Sequence, residues 1–201
     1  MSVAAIVLAA GRGTRFAGRP KMLAEYDGRT FVRRAAEAAL GGGASPVIVV
    51  LGHEADAVEA SLAGLDVVLV RNPGYAEGLS TSLRAGFAGL PESAAAAIVL
   101  LGDMPLIEAG LVARLAEAWE HAGRPPALVP TYRGRRGNPV LLSCRLAPEI
   151  ARLTGDAGAG PLLRGLDGVV ELEVDTPAVT EDVDTAEALA RLRTGSSLRR
   201  A

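Results

Sequence analysis

An uninterrupted apolar run, Val3-Ala4-Ala5-Ile6-Val7-Leu8-Ala9, leads straight into a glycine-bearing turn, Ala10-Gly11-Arg12-Gly13. A run without polar alternation reads as a strand buried on both faces, as in a parallel sheet covered by helices. Later segments fit that pattern. Val47–Leu51, Val67–Val70, Ala97–Leu101 and Val169–Val174 read as further strands. Helices are expected over Thr30–Leu40, around Ala55, Val58 and Leu62, along the face of Leu111, Val112, Leu115 and Trp119, and over Thr185–Leu192. Gly41-Gly42-Gly43 and Gly123 close two of these helices. Ala127–Val129 and Val140–Leu142 flank a turn at Arg133–Gly137 suited to joining hairpin-like strands. Strands alternating with helices in this way predict a doubly wound α/β fold. Residues 1–193 are expected to form one domain, followed by a polar, disordered tail over 194–201.

Composition narrows the function classes. The 201 residues carry a formal net charge of −2 and no dominant basic block, so the footprint of a nucleic-acid binder is missing. With three Phe, three Tyr and one Trp, the core must be built from Ala, Val and Leu. The lone Cys144 cannot form an internal disulfide, and it reads as a small packed side chain. The two histidines, His53 and His121, make no metal-ligand pattern. No apolar run reaches the ~18 residues of a membrane span, and no basic segment precedes the first strand, so a cytoplasmic location is expected.

The glycine-rich turn is the first candidate site. Glycines at a strand's carboxyl end let backbone N–H groups converge on one point, and converging N–H donors bind phosphate. Arg15 and Lys21 follow closely enough to place two cations against the same anion. The dinucleotide fingerprint fits badly, because Phe16 stands where its third glycine would be. The P-loop ending Gly-Lys-Ser/Thr is absent as well. A plain strand-to-helix turn with solvated basic residues is the structural alternative.

The segment Leu8-Ala9-Ala10-Gly11-x-Gly13-x-Arg15 with Lys21 resembles the opening motif of the nucleotidyltransferases that build molybdenum-cofactor dinucleotides. Further pieces follow in that family's order: Asn72-Pro73, Gly78-Leu79-Ser80-Thr81-Ser82-Leu83, Leu101-Gly102-Asp103-Met104-Pro105, Gly137-Asn138-Pro139-Val140 and Asp182-Val183-Asp184-Thr185. The chain is most similar to the molybdenum cofactor cytidylyltransferase-like branch. The resemblance implies a Rossmann-like three-layer sandwich, a nucleoside triphosphate substrate and Mg²⁺. It assigns Leu8, Ala9, Ala10, Gly11, Gly13, Asn72, Gly78 and Ser82 to the nucleotide and Gly137, Asn138 and Pro139 to the acceptor. Arg133, Arg135 and Arg136 would suit a phosphorylated pterin such as molybdopterin, although a solvated turn accounts for them almost as well. Gly155-Asp156-x-Gly158-Ala159 matches another family segment, but relatives often carry arginine where this chain has Gly160. Transient contact with a molybdoenzyme or its chaperone belongs to the same implication.

Asp103 lies just past a buried strand, where open α/β sheets place ligand groups, and its carboxylate suits a hard cation. Its structural alternative is a cap on the following helix. Asp184 is either a metal ligand or, with Glu187 three residues on, a helix N-cap. Asp182 is the weaker metal candidate. Ser80 or Ser82 is expected to cap a helix.

The implied reaction is nucleotidyl transfer, in which backbone N–H groups from Ala9 to Gly13 hold phosphates. Arg15 would face the departing pyrophosphate, Lys21 the α-phosphate, and Asp103 with Asp184 the metal. A nicotinamide-dependent reductase is the alternative from another class, against which Leu51-Gly52-His53 lacks the ribose-binding acid expected after a second strand. A non-catalytic nucleotide sensor is a third. An acceptor such as a sugar phosphate is equally open, since fold does not fix function. The family's cytidylyl branch tends to carry alanine at the position of Ala10, whose methyl would narrow the floor beside the base and favour CTP.

Overall fold

The apolar run at the start of the chain forms the centre of the molecule because it can be covered on both faces. The computed structural model describes residues 2–13, 20–183, 185 and 187–191. Its strands are β1 (Ser2–Ala9), β2 (Glu25–Tyr26), β3 (Arg29–Thr30), β4 (Val47–Leu51), β5 (Val68–Arg71), β6 (Ala94–Leu101), β7 (Ala127–Tyr132), β8 (Arg135–Arg136), β9 (Val140–Ser143) and β10 (Val169–Glu173). Its α-helices are α1 (Phe31–Gly41), α2 (Ala55–Ser61), α3 (Leu79–Ala88), α4 (Ala109–His121), α5 (Ala147–Ala151) and α6 (Gly160–Arg164). The main sheet runs β10-β7-β9-β6-β1-β4-β5, with β8 paired to β7. β1 is parallel to both β4 and β6, whereas β9 is antiparallel to both β6 and β7.

The pleat of β1 divides the core into two layers. Ala5, Val7 and Ala9 face one cluster, shared with Val32 and Ala36 of α1, Val58 of α2, and Val112 and Leu115 of α4. Ala4, Ile6 and Leu8 face the other, with Leu83 and Phe87 of α3, Ile150 of α5 and Leu163 of α6. This is the mixed, mostly parallel sheet with helices on both faces that the sequence predicts. Among the described residues no helix is long and apolar enough to cross a membrane.

Helix ends follow local chemistry. Thr30 caps α1 by accepting from Arg33 N at 3.4 Å. Neither Ser80 nor Ser82 caps α3. Gly78 occupies the N-cap position, and its φ of 121° belongs to a region that side chains rarely enter. The hydroxyl-rich opening Leu79-Ser80-Thr81-Ser82 has weak helix propensity, so only the start of α3 was legible. β6 begins three residues earlier than expected, and β5 is displaced by one residue. Helical backbone is described over 187–191, and there Ala188 N donates to Thr185 Oγ1 at 3.1 Å, a capping bond made by Thr185. Asp184 and residues 194–201 lie outside the described residues.

α3 crosses the sheet closely at Gly86, where an added Cβ would overlap Ile6 Cγ2 and approach Val50 Cγ2 at 3.2 Å. Both neighbours are fully buried. Gly86→Ala should therefore cost about 1–3 kcal/mol despite the better helix propensity of alanine, read from the urea midpoint at unchanged m-value.

Candidate active site

β1 connects through α1 to β4 on one side, and the chain later enters β6 on the other. The crevice outside the carboxyl ends of β1 and β6 is thus the topological switch point, where open α/β sheets bind ligands. Ala10 to Gly13 emerge there from β1, and Gly102-Asp103 from β6. Gly102 N donates to Leu8 O at 3.0 Å, which ties the two exits together. Gly13 has φ of 54°, and a side chain on it would run into Lys21, approaching the Lys21 backbone nitrogen at 3.1 Å. Only glycine allows the turn to fold back on Lys21 in this way. Around Gly11 the space where a side chain would project is open.

Lys21 opens a short 3-10 turn, Lys21–Leu23, and only 5% of the residue is exposed. Its Nζ donates to Asp103 Oδ2 at 2.7 Å, across a separation of 82 residues. Asp103 Oδ1 is buried, with no hydrogen-bond partner among the described residues. A buried carboxylate oxygen left without a donor costs stability unless a ligand satisfies it. Asp103 does not cap the next helix, because α4 starts at Ala109 with Glu108 at its N-cap position. Arg34 of α1 donates to Pro105 O at 2.8 Å, and Val183 N donates to Asp103 O at 3.2 Å. Both bonds fix the turn that carries Asp103, and the second lays the segment of Asp182 beside it.

A cleft of about 460 Å³ opens over Asp103, while buried Lys21 lies behind its lining. Leu8, Ala10, Gly11, Gly13, Gly78 and Ser82 line it together with Asp103, as the sequence suggests. Met22 and Tyr75 line it too, neither of them expected, as do Arg12, Leu79 and Asp156, which the sequence offered only inside wider segments. Tyr75 carries no periodic or motif signal. Its place is set by a cation–π contact from Arg12 at 5.7 Å and by the tilted His53 ring at 6.2 Å. Ala10 is only 2% exposed, so its methyl does not form a bare floor. A Cβ on Gly52 would meet both Ala10 Cβ and Tyr75 Cβ at 2.7 Å, so these three residues pack against one another behind the cleft.

Asn72 stands behind the wall rather than in the lining. Its Nδ2 donates to Thr81 Oγ1 at 2.8 Å and Ser82 Oγ at 3.1 Å, while its Oδ1 accepts from Gly74 N at 3.0 Å. It clamps the loop bearing Tyr75 onto the start of α3, a positioning role that its neighbouring proline did not announce. Gly78 packs so tightly on Gly155 and Asp156 that no side chain fits at that position.

A second cavity of about 450 Å³ adjoins the first and shares Leu8, Leu79 and Leu101 with it. Gly137 and Asn138 line it. Pro139 follows Asn138 through a cis peptide bond and is not in the lining. Of the three loop arginines only Arg136 reaches this cavity, where its Nε donates to Glu171 Oε1 at 2.7 Å. Gly160 and Arg164 complete the far side. Arg15 and Asp184 lie outside the described residues. Among those described, no group of three or more His, Cys, Asp or Glu gathers as a metal site.

Residues 5–172 match the model of the MobA-like NTP transferase domain. Nicotine blue oxidoreductase of Paenarthrobacter nicotinovorans is 35% identical over 202 residues, covering 94% of this chain and 96% of that protein. A nucleotidyl transferase of Methanothermobacter thermautotroptrophicus superposes with a TM-score of 0.84 at 26% identity, covering 100% of this chain and 99% of its own. Rv0371c of Mycobacterium tuberculosis, solved in complex with manganese, superposes with a TM-score of 0.78 at 32% identity, covering 96% and 99% of the two chains.

Cys144 sits away from the cleft, in a recess of about 190 Å³ beside Trp119 and the opposite ends of β6 and β9. Burial raises its thiol pKa. Less thiolate is then present near neutrality. Cys144 should react with a maleimide more slowly than a free cysteine at pH 7.5, a value chosen to lie about one unit below an ordinary thiol pKa. The rate of alkylation, followed by intact mass, checks this.

Proposed function

Since this chain belongs to the family of MobA-like NTP transferase domains, we propose that it is a cytoplasmic enzyme that transfers CMP from CTP to a small phosphorylated acceptor, with Mg²⁺ as cofactor. It is a nucleotidyltransferase by family, and the donor, acceptor and metal are the parts proposed. One observation carries the reading: at the switch point, Lys21 and Asp103 meet under the glycine turn, with Asp103 Oδ1 buried and lacking a partner among the described residues.

That oxygen fits a hard divalent cation, which favours carboxylate ligands and keeps waters and substrate phosphates for its remaining positions. Asp103, with Asp184, would hold Mg²⁺, which when bound neutralises charge on the triphosphate and the departing pyrophosphate. That Rv0371c, 32% identical, was solved in complex with manganese supports a divalent metal here. Backbone N–H groups of Ala9 to Gly13 orient the phosphates, and Arg15 receives the pyrophosphate. Lys21 offers its ammonium to the α-phosphate while Asp103 holds it in position. An acceptor phosphate oxygen forms a bond to the α-phosphorus as the bond to the bridging oxygen of the β-phosphate breaks. Pyrophosphate leaves with that electron pair. Catalysis is then positioning and charge neutralisation, with no protein nucleophile. The acceptor side falls to Gly137, Asn138 and Pro139, with molybdopterin the acceptor that the family resemblance favours. Brief contact with a molybdoenzyme or its chaperone would deliver the product.

A second reading has one observation in its favour, the full-length similarity to a protein named nicotine blue oxidoreductase. A reductase would use the same turn for a dinucleotide pyrophosphate. Two features of this chain oppose it. Phe16 replaces the third glycine of the fingerprint. After β4, where the ribose-binding acid would stand, Gly52 is closed off by Ala10 and Tyr75. Pyrophosphate release with four triphosphates, run beside oxidation of reduced nicotinamide cofactors, separates the two readings.

Asp103→Asn should abolish pyrophosphate release yet leave a folded protein, and its Mn²⁺ affinity should fall by calorimetry. Lys21→Ala should lower kcat/KM by at least ~100-fold, the loss expected for one strong transition-state donor. A folded Asp103→Asn enzyme that still turns over with its metal requirement intact would place the metal elsewhere.

Base choice gives the other test. CTP should exceed GTP by roughly 10- to 200-fold in kcat/KM, the discrimination that a small change in pocket shape supplies. Ala10→Gly should shrink that gap by loosening the packing behind Tyr75. Competition kinetics with a common acceptor would show it, and preference for GTP or ATP would overturn the assignment of the base alone.

A further inference from the structure

The second cavity differs in chemistry from the cleft it adjoins. Its walls are Leu83, Val99, Val129, Val140 and Leu163, all members of the core cluster beneath α3 and α6. Arg136, Asn138 and Arg164 supply its polar side chains, and no carboxylate lines it. Three backbone donors of its lining are already committed. Gly137 N donates to Pro130 O and Asn138 N to Val179 O, each at 2.8 Å, and Leu163 N donates to Ala159 O at 2.9 Å. A ligand rich in hydroxyls would lose its water against the apolar walls, which costs affinity for every group left unsatisfied. An apolar body meets matching walls, while of the two arginines Arg136 is already paired with Glu171.

From this we infer that the cavity is a binding site for an anionic acceptor with a compact apolar body, of the aryl phosphate class, and not for a polyhydroxylated sugar phosphate. The assignment as acceptor rests on the transferase reading above. The class of ligand rests on the cavity itself. Leu8, Leu79 and Leu101 form the partition, so a phosphate on such a body lies toward Lys21 and Asp103 when the body fills the apolar side. Gly160 at the rim leaves the opening wide, because a Cβ there would meet only Arg164 Nη1, at 3.6 Å.

The test uses the full chain and three probes that share a phosphate: 1-naphthyl phosphate, glucose 1-phosphate and inorganic phosphate. Calorimetry should find 1-naphthyl phosphate bound at least about tenfold more tightly than either of the others, the scale on which an apolar pocket discriminates. Val140→Thr keeps the side chain's shape but adds a hydroxyl to the wall. It should weaken 1-naphthyl phosphate about fivefold or more and leave glucose 1-phosphate unchanged. Because that variant alters a buried strand, Gly160→Asp gives an independent reading at an exposed position. It should weaken 1-naphthyl phosphate by setting a carboxylate beside the apolar body, with no change in Tm. Equal or tighter binding of glucose 1-phosphate would overturn the inference, and so would 1-naphthyl phosphate binding indifferent to both folded variants. CTP binding is titrated separately. Loss of CTP binding with the aryl preference intact would sink the transferase reading and leave the ligand class standing. The reverse pattern would remove only the cavity's assignment.

Discussion

Burial of β1 on both faces is the constraint from which the rest of the structure follows. A strand with Ala4, Ile6 and Leu8 on one side and Ala5, Val7 and Ala9 on the other leaves no face for water. It must therefore lie inside the sheet, between β4 and β6, and both faces must be roofed by helices. Its small residues set the distance of that roof, and Gly86 of α3 packs directly on Ile6. Polar groups can only appear where the strand ends. The glycine turn, Lys21 and Asp103 gather at that end because nowhere else along β1 is there room or water for them.

The parts legible in the sequence were those whose physics is local. Val47–Leu51 coincides with β4 because a β-branched apolar run between turn residues has one easy reading. Thr30 and the glycines after α1 mark that helix for the same reason. Gly13 could be singled out because a turn at a strand's carboxyl end requires a left-handed residue. What the sequence withheld was set by tertiary contact. Lys21 and Asp103 each stood out by position, but their pairing across 82 residues is a property of the sheet order. Tyr75 lies in a loop between two motifs and gains its place from Arg12, His53 and the packing on Gly52. Asn72 was legible as important and not legible as a clamp, because an amide side chain looks the same in sequence whether it faces a ligand or a neighbouring helix.

The clamp at Asn72 and the contact between Gly78 and Gly155 act on one short stretch of chain. Asn72 holds the loop before α3 to Thr81 and Ser82, while Ser80 N donates to Gly155 O at 3.1 Å. The start of α3 is thereby held from two directions with no side-chain cap. Leu79 sits on that held turn and belongs to both cavities, so its position fixes how far the two spaces communicate. Gly158 lies against Leu79 as well, since a Cβ there would approach Leu79 Cδ2 at 2.9 Å. Held in this way, the partition between the two cavities is a fixed wall.

The antiparallel strand β9 gives the sheet two halves with different freedoms. On one side, β1, β4 and β5 run in parallel and are locked into helical crossovers, so a change in length there would shift the glycine turn itself. On the other, β7, β8 and β9 are joined by hairpin turns, and the short helices α5 and α6 sit in connections that tolerate insertion. The first half carries the glycine turn and the second builds most of the adjoining cavity. Loops in the second half can therefore reshape the adjoining cavity while the strands that carry the glycine turn keep their places.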